Sequence, residues 1–463
     1  NTTSNFHYIY IILIQRMKIS LNNRERLANE IVNGAVIIHG NSSIYRNNDV
    51  AYPFRQDSNF HYLTEWPEPD AHAVIVVKDS KPDLYLFVQD RNLEMETWEG
   101  KRIGQEGAVE TYNAKASFSN TEYPKKLTEL LEGIENIYCD YSNTKFQQYD
   151  QKALSFAVPY DQRGLEFSKA TLHALAPVLS ELRLVKDKEE LNLLSKACEI
   201  TVEGHKVAMK IAQAGMYEYQ VAAEMEKTFF DLGAERLGYP SIVASGDNAC
   251  ILHYSTNREI IPEGSLLLID AAGEYGMYSS DVTRTFPVSG KFTPEQKDVY
   301  KEVLKAQNLG IKSVTTKNTM RDIHQITIKS ISESLVNLGL VPMGIDETTS
   351  MMHYFEYFMH GTGHWLGLDV HDVGAYRMGD YEVPLQNGMI LTVEPGIYIS
   401  DRIPVPEGQP PIDEKWKGIG IRIEDDVLVT DTNPEVLSIA ALKEISDLEF
   451  WNLTYQVNRF IFY

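Results

Sequence analysis

The sequence predicts an α/β (α+β) protein in which a smaller N-terminal domain precedes a larger second domain. The chain has 463 residues, enough for two or three domains of roughly 100–200 residues each. Its 43% hydrophobic and 23% charged residues are typical of a globular protein with a sizeable core. Apolar runs of strand length alternate with segments of helical periodicity, which favours mixed α/β structure.

The first part of the chain predicts a mixed α/β domain over residues 17–180. A helical segment at 24–31 runs into "AVIIHGN", which has the pattern of a buried strand. Apolar runs at 73–77 and 84–88 flank a turn-rich segment, as the two strands of a pair do. The segments that follow predict a helix in "PKKLTELLEGI", a strand in "NIYCDYS" and a helix in "ATLHALAPVLSEL".

A second domain is predicted over residues 181–448, beginning at the charged cluster "SELRLVKDKEE". A long helix follows, with Leu191, Leu194 and Cys198 on one face and Gly215 at its end. Helices and strand blocks then alternate twice, which predicts two related halves. The predicted segments are, in order, a helix at 217–232, strands at 265–287, helices at 293–309 and 319–339, and strands at 389–429. Residues 1–16 and 449–463 are assigned to neither domain.

Charge and cysteine content exclude several classes of partner and site. The formal charge of −22 repels nucleic acid phosphates and anionic lipid surfaces, so neither is expected as a partner. The apolar run at 8–14 is too short to span a bilayer and has no flanking features of an export signal. Only three cysteines occur, Cys139, Cys198 and Cys250, and none is within metal-ligand spacing of another, so neither a disulfide framework nor a thiolate zinc site is supported. A cytoplasmic location is therefore expected.

The first candidate site lies in "LLLIDAAGEYGMYSSDVTRTFP". An apolar strand delivers Asp270, and Asp281 returns on a second strand after a turn. Two carboxylates side by side across such a hairpin repel each other and favour a cation between them. The alternative is a solvated strand-end aspartate and a turn aspartate.

The second candidate site is "HGTGHWLGLDVHD", which contains His360, His364 and His371. Its glycines argue against a helix and favour a loop or strand that approaches a site closely. It is not a helical zinc-peptidase motif, because a glycine follows His360 where a general-base glutamate is required. Packed or surface histidines are the alternative.

Two further segments place glutamates among apolar residues. Glu394 stands between a strand and a Pro-Gly turn in "LTVEPGIYI", and Arg422 and Glu424 share one face of a predicted strand in "GIGIRIEDDVLV". Burying an unpaired carboxylate costs several kcal/mol, so a functional reason is expected. The alternative for Glu424 is a salt bridge with Arg422. Oxygen-rich ligation with a single imidazole suits two divalent ions such as Mn²⁺ and hydrolytic chemistry.

This ordered set of residues resembles the dinuclear metallopeptidases of the pita-bread fold, and within them bacterial Xaa-Pro aminopeptidase (aminopeptidase P). "GHWLGLDVHDVG", "LTVEPGIYI" and "GIGIRIEDD" are similar to blocks of that group. "YPFRQDSNFHYLTEWPEPDA" and "LFVQDRNLEMETWEGKRIG" resemble its N-terminal domain. The likeness extends from about residue 17 to about 445.

The resemblance implies two metal ions, with Mn²⁺ preferred, held by five ligands. Asp270 would chelate one ion, and Asp281 and Glu424 would bridge both. His364 and Glu394 would complete the two shells.

The resemblance also implies roles for other residues of the site. His253, His360 and His371 would face the substrate and assist proton transfer, with Arg422 beside the metals. A homodimer or homotetramer is implied as well, in which the segment around Trp98 helps to cover the site of another subunit.

The implied substrates are peptides with proline in second position. An Xaa-Pro bond has no N–H, so an enzyme that grips the scissile amide as a donor cannot use it. The hypothesis is that a hydroxide bridging the metals attacks the carbonyl, with Glu394 as base and proton carrier. His360 or His253 would stabilise the intermediate, and His371 would hold the carbonyl on the proline side.

Three other functions are alternatives to an Xaa-Pro aminopeptidase. A prolidase shares the fold and ligands but cuts only Xaa-Pro dipeptides. A creatinase-like hydrolase uses the same fold without metal, and the five intact ligand positions disfavour it. The same residues disfavour a non-catalytic binding module.

Overall fold

The structure, a computed structural model, divides into two compact units. The first extends through Leu182 and the second begins at Arg183. Both combine helices with paired strands, so the predicted mixed α/β class is confirmed. The described residues are 18–141, 143–151, 154, 170–341, 344–404 and 411–449. Of the segments that the sequence assigns to neither domain, 1–16 and 450–463 lie outside them.

Six described strands form the sheet of the first unit. Gly34–His39 lies inside the sheet with all of its residues buried, which explains its unbroken apolar sequence. From edge to edge the strands are Ala116–Ser119, Lys81–Val88, His72–Lys78, Gly34–His39, Asn136–Cys139 and Thr171–Ala174. The two strands flanking the turn at 79–80 pair antiparallel, as predicted.

The helices of the first unit pack beside this sheet or extend from its loops. They are 18–31, Ser58–Thr64, Leu93–Glu99, Gly104–Tyr112, Tyr123–Leu130 and Leu175–Leu184, of which the last two residues belong to the second unit. Shorter elements are the ribbon Tyr45–Asn47 with Val50–Ala51, the 3₁₀ turn Asn120–Glu122 and the π-helical turn Phe146–Asp150.

The helix predicted over "ATLHALAPVLSEL" is wrong in its first part. Thr171–Ala174 form a strand parallel to Asn136–Cys139, and the helix Leu175–Leu184 follows. Pairing with the open edge of the sheet overrides the local helical pattern.

The second unit contains two pairs of long helices. The first pair is Lys188–Ile211 with Glu218–Asp231, and the second is Pro294–Lys312 with Met320–Asn337. A shorter helix, Ile345–Ser350, follows. Short 3₁₀ helices are Gly246–Cys250, His353–Glu356 and Glu414–Trp416. Capping boxes at Asp187, Thr293 and Thr319 fix where three of the long helices begin. The first long helix ends at Ile211, four residues before the predicted Gly215. No helix of the described residues is both long and apolar enough to cross a membrane.

The strands of the second unit form several small sheets. Two three-stranded sheets have the orders Ile242–Ser245, Leu266–Asp270, Thr283–Pro287 and Arg236–Leu237, Gly273–Tyr275, Tyr278–Ser279. A third three-stranded sheet has the order Ile390–Val393, Asp425–Leu428, Glu435–Val436. Two further sheets are strand pairs, Gly396–Ile399 with Ile419–Arg422 and Arg377–Met378 with Tyr381–Glu382. A helix pair followed by paired strands thus occurs twice, as predicted.

Two local predictions in this unit need correction. The connection between Leu266–Asp270 and Thr283–Pro287 is not a simple turn, because its residues form strands of another sheet. Asp281 therefore lies just before the returning strand and not on it. Glu424 likewise follows the strand Ile419–Arg422 and does not share it with Arg422.

The first pair of long helices packs closely at Gly204. A Cβ at this position would come within 2.2 Å of the Phe229 ring on the neighbouring helix, so the contact requires glycine. Phe229 itself is fully buried in the main core of the unit, together with Val299, Leu267 and Ile421.

Gly204→Ala is expected to destabilise the second unit, although alanine favours helix formation. Overpacking against Phe229 costs about 1–3 kcal/mol, which exceeds the propensity gain of about 1 kcal/mol. Denaturant unfolding measures the change. Glu199→Ala, an exposed substitution on the same helix, is the control. Phe229→Leu should partly rescue Gly204→Ala, and a stabilised single variant would contradict the packing described.

Candidate metal centre

All nine residues singled out by the sequence line one cavity of about 470 Å³ in the second unit. They are Asp270, Asp281, His364, Glu394, Glu424, His253, His360, His371 and Arg422. They come from strand ends and loops that are far apart in sequence. The fold therefore brings the complete predicted set together, although it does not itself assign roles to them.

Asp270 and Asp281 meet at a shared tyrosine. Asp270 ends the buried strand Leu266–Asp270 and pairs in register with Thr283. The Tyr239 hydroxyl lies 2.6 Å from Asp270 Oδ1 and 2.5 Å from Asp281 Oδ1. One hydroxyl has one proton and can satisfy only one of the two carboxylates at a time. The pair is thus near in space, as predicted, but incompletely neutralised by protein groups.

Arg422 supplies the positive charge nearest to these carboxylates. Its Nη2 donates to Asp270 Oδ2 at 2.6 Å and its Nε donates to Thr283 Oγ1 at 3.1 Å. The Thr283 hydroxyl in turn donates to Glu424 Oε2 at 2.6 Å. Arg422 therefore forms its salt bridge with Asp270, and the predicted alternative of a structural Arg422–Glu424 pair is not what the geometry shows.

The glycines of the histidine segment allow the backbone to approach a strand, as predicted. A Cβ on Gly363 would lie 1.8 Å from the Thr392 carbonyl oxygen. The close approach is held by the Thr392 N–H, which donates to the His364 carbonyl, and by the Glu394 N–H, which donates to the Thr362 carbonyl. The segment is irregular and not helical.

The His364 ring is oriented with one nitrogen toward the carboxylates. Nδ1 donates to the Trp365 carbonyl at 3.0 Å, and Nε2 lies 3.3 Å from Asp281 Oδ2 and 3.8 Å from Glu394 Oε1. This is the orientation that a metal-ligating imidazole adopts, with its other nitrogen fixed by a backbone carbonyl. Burial opposes the charged ring, but the hydrogen bond and attraction from Asp281 raise the pKa of His364 to about 9.

The electrostatics of the cavity favour cation binding. Burial and the neighbouring carboxylates raise the pKa of Glu424 well above its usual value. Burial raises the pKa of Glu394 to about 7, although His364 opposes this. Burial also raises the pKa of Asp270, against the influence of Arg422. Groups of this kind ionise fully only when positive charge is brought among them.

The donor set fits a metal. Ligand atoms of Asp281, His364 and Glu424 all lie within 4.8 Å of one another. Asp270 and Glu394 line the same cavity beside them. Carboxylate oxygens with one imidazole are ligands for hard or borderline divalent ions, and four carboxylates can neutralise two of them.

Three further histidines surround the carboxylates. His360 Nε2 is 2.8 Å from the Tyr398 hydroxyl and its Nδ1 is 3.6 Å from Glu394 Oε2. Burial, helped by Arg422, lowers the pKa of His360 to about 3, so this ring is neutral at physiological pH. His371 packs edge to face on His364 at 4.4 Å between ring centroids. His253 lies on an exposed loop at the cavity wall.

Several residues that hold the site are not among those that the sequence singles out. Tyr239 and Tyr398 contact the carboxylates and Arg422 but stand in no distinctive motif. Arg284, fully buried, donates to Asp425 Oδ1 at 2.6 Å, and the Asp281 N–H donates to the Asp426 carboxylate at 3.1 Å. Asp425 and Asp426 had a sequence signal, because these two acidic residues directly follow Glu424 inside the otherwise apolar segment "GIGIRIEDDVLV".

Comparisons with known proteins match two regions of the chain to family models. Residues 192–431 match the model of metallopeptidase family M24, and residues 21–138 match that of the aminopeptidase P N-terminal domain. A Haemophilus influenzae Xaa-Pro aminopeptidase is 38% identical over 419 residues, which cover 90% of this chain and 93% of that protein.

Two solved structures are similar over nearly the whole chain. Pseudomonas aeruginosa aminopeptidase PepP is 36% identical with a TM-score of 0.89, covering 95% of this chain and 99% of its own. Escherichia coli aminopeptidase P with the inhibitor Pro-Leu is 35% identical with a TM-score of 0.88, at the same coverage. The predicted family and pita-bread fold are confirmed.

Adding Mn²⁺ to chelator-treated protein is expected to raise its melting temperature, because the ion binds only the folded carboxylate cluster. When free Mn²⁺ is at a hundredfold excess over its Kd, binding raises the free energy of unfolding by about 2.7 kcal/mol. Asp281→Asn should lose most of this shift in thermal unfolding, whereas Asp298→Asn, on an exposed helix surface, should keep it. An equal shift in Asp281→Asn would place the ion elsewhere.

Proposed function

This chain belongs to metallopeptidase family M24, and on that premise we propose that it is a metal-dependent aminopeptidase that removes the first residue from peptides with proline in second position. The observation that carries the proposal is the convergence of four carboxylates, His364 and Arg422 on one cavity. Relatives named Xaa-Pro aminopeptidase match along nearly the whole chain, including its N-terminal domain.

Five residues form the proposed ligand set for two divalent ions. They are Asp270, Asp281, His364, Glu394 and Glu424. When bound, the ions would polarise the scissile carbonyl and lower the pKa of water to supply a nucleophile near neutral pH. The Tyr239 and Thr283 hydroxyls orient three of the carboxylates, and the Trp365 carbonyl fixes the His364 ring.

Glu394 is the proposed proton carrier. Its carboxylate lies 3.8 Å from His364 Nε2 and 3.6 Å from His360 Nδ1, inside the cavity where a proton has to be taken from water and passed to the leaving nitrogen. His360, kept neutral, is proposed to face the substrate beside Glu394, with its Nδ1–H held by the Gly361 carbonyl at 2.8 Å and its Nε2 facing the Tyr398 hydroxyl. His253 and His371, which line the cavity from two different loops, are proposed to contact the peptide, with His371 at the carbonyl on the proline side.

Part of the cavity is apolar, which suits a proline substrate. Pro240, Ile242, Leu252 and Val370 line it beside the polar groups. A pyrrolidine ring gains by burying its methylene groups against such a surface. Since an Xaa-Pro amide has no N–H to donate, recognition must depend on this surface and on groups that bind the carbonyl oxygens.

A prolidase is the second candidate and is not favoured, because the relatives that match along the whole chain are Xaa-Pro aminopeptidases. A metal-free creatinase-like reaction is disfavoured by the complete donor set.

Three finer features are also proposed. Mn²⁺ as the native metal is supported by the oxygen-rich donor set with one imidazole. A homodimer or homotetramer is supported by Trp98, which is 82% exposed on the helix Leu93–Glu99 of the first unit. A cytoplasmic location is supported by the free thiols of all three cysteines.

The substrate proposal is tested by turnover of three peptides with the Mn²⁺-loaded protein. Arg-Pro-Pro should be cleaved after arginine, whereas Ala-Pro and a peptide beginning Met-Ala should react at least about tenfold more slowly. Preference for Ala-Pro would indicate a prolidase. Cleavage of the Met-Ala peptide would contradict proline selectivity.

Glu394→Gln is expected to lower kcat by about 100-fold or more, because the amide cannot carry the proton. Single-turnover and steady-state assays on Arg-Pro-Pro measure the loss, and metal content is checked in the same preparation. Glu356→Gln, which lies outside the active-site cavity, is the control. More than a few per cent of activity in a metal-replete Glu394→Gln would remove Glu394 from this role.

A further inference from the structure

His253 lies on a long connection that is held by hydrogen bonds to a residue outside the cavity. The connection leaves the strand Ile242–Ser245 and returns to the strand Leu266–Asp270. Its exposed residue His253 reaches the cavity together with Leu252 and Ser255. Within the described residues, no hydrogen bond holds the His253 ring. The placement of the ring must therefore come from the backbone that carries it.

Glu218 is the group on which this connection converges. It is the first residue of the helix Glu218–Asp231 and is completely buried. Its Oε1 accepts from the Ser245 N–H at 2.9 Å, the Ser245 hydroxyl at 2.8 Å and Asn248 Nδ2 at 3.0 Å. Its Oε2 accepts from the Tyr254 hydroxyl at 2.7 Å and the Glu259 N–H at 3.1 Å.

These five hydrogen bonds reach the start, the middle and the end of the connection. Ser245 and Asn248 lie where the chain leaves the sheet, Tyr254 follows His253 directly, and Glu259 lies on the returning segment. The position at a helix N-terminus further favours a carboxylate at Glu218. Because one carboxylate accepts all five hydrogen bonds, loss of this acceptor would release several contacts of the connection together.

We infer that Glu218 is a positioning residue, which acts through Tyr254 to hold His253 against the substrate. The inference rests on the proposed function, in which His253 contacts the peptide. Glu218 itself lines no part of the cavity. Its role is to keep an otherwise exposed histidine at a fixed place, so that substrate binding need not first order the connection.

Hydrogen exchange of the full chain with Mn²⁺ bound tests, without reference to activity, whether Glu218 holds the connection. In Glu218→Gln, the amide faces at least one donor that it cannot satisfy. Exchange over residues 246–259 should therefore increase about tenfold while the helix Pro294–Lys312 is unchanged. Tyr357→Phe, which removes a buried tyrosine hydrogen bond elsewhere in the unit, should leave the connection unchanged. Unaltered exchange over 246–259 in Glu218→Gln would overturn the inference.

A double-mutant cycle tests the connection to His253. Glu218→Gln and Tyr254→Phe should each lower kcat/KM on Arg-Pro-Pro about tenfold, and by less than about twofold in a His253→Ala background. Equal losses in both backgrounds would show a merely structural effect and overturn the inference. Absence of turnover in the unaltered chain would instead overturn the proposed function, while the exchange experiment still decides whether Glu218 holds the connection.

Discussion

Repulsion among buried carboxylates is the constraint on which the rest of the second unit depends. Asp270, Asp281, Glu394 and Glu424 share one cavity, and among the described residues that line it Arg422 and His364 offset their charge. Isolated charges in such surroundings are strongly unfavourable, and the protein groups available do not neutralise all four. Divalent cations remove the conflict, which is why the site is best understood as a metal centre.

A second layer of charge holds the first in place. Arg284 and Lys443 both contact the buried Asp425, and although burial opposes ionisation they hold its pKa at about 2. Arg284 also donates to the Glu424 carbonyl, which fixes the backbone next to a proposed ligand. Asp426, beside it, accepts from the Asp281 N–H and from the Cys198 thiol. Two proposed ligands are thus each tied to a buried group beside the site, Asp281 to Asp426 and Glu424 to the Arg284–Asp425 ion pair.

The sequence predicted the components of this site better than their connections. Each predicted ligand stands at a strand end or a glycine-rich turn, where a polar residue interrupts an apolar run, and this local signal is visible without a structure. Tyr239 could not be found in this way, because it meets Asp270 only through packing between segments 31 residues apart. The same holds for the strands Gly273–Tyr275 and Tyr278–Ser279, whose sheet depends on the distant Arg236–Leu237. The domain limits and the role of each ligand stay predictions.

Calorimetric titration of chelator-treated protein with Mn²⁺ at neutral pH, in two buffers of different ionisation enthalpy, tests the account most directly. Because the pKa of His364 is raised to about 9 in the metal-free chain, its ring carries a proton at neutral pH that a cation must displace. The account predicts two Mn²⁺ bound per chain with net release of at least one proton. Absence of saturable binding, or binding without proton release, would contradict it.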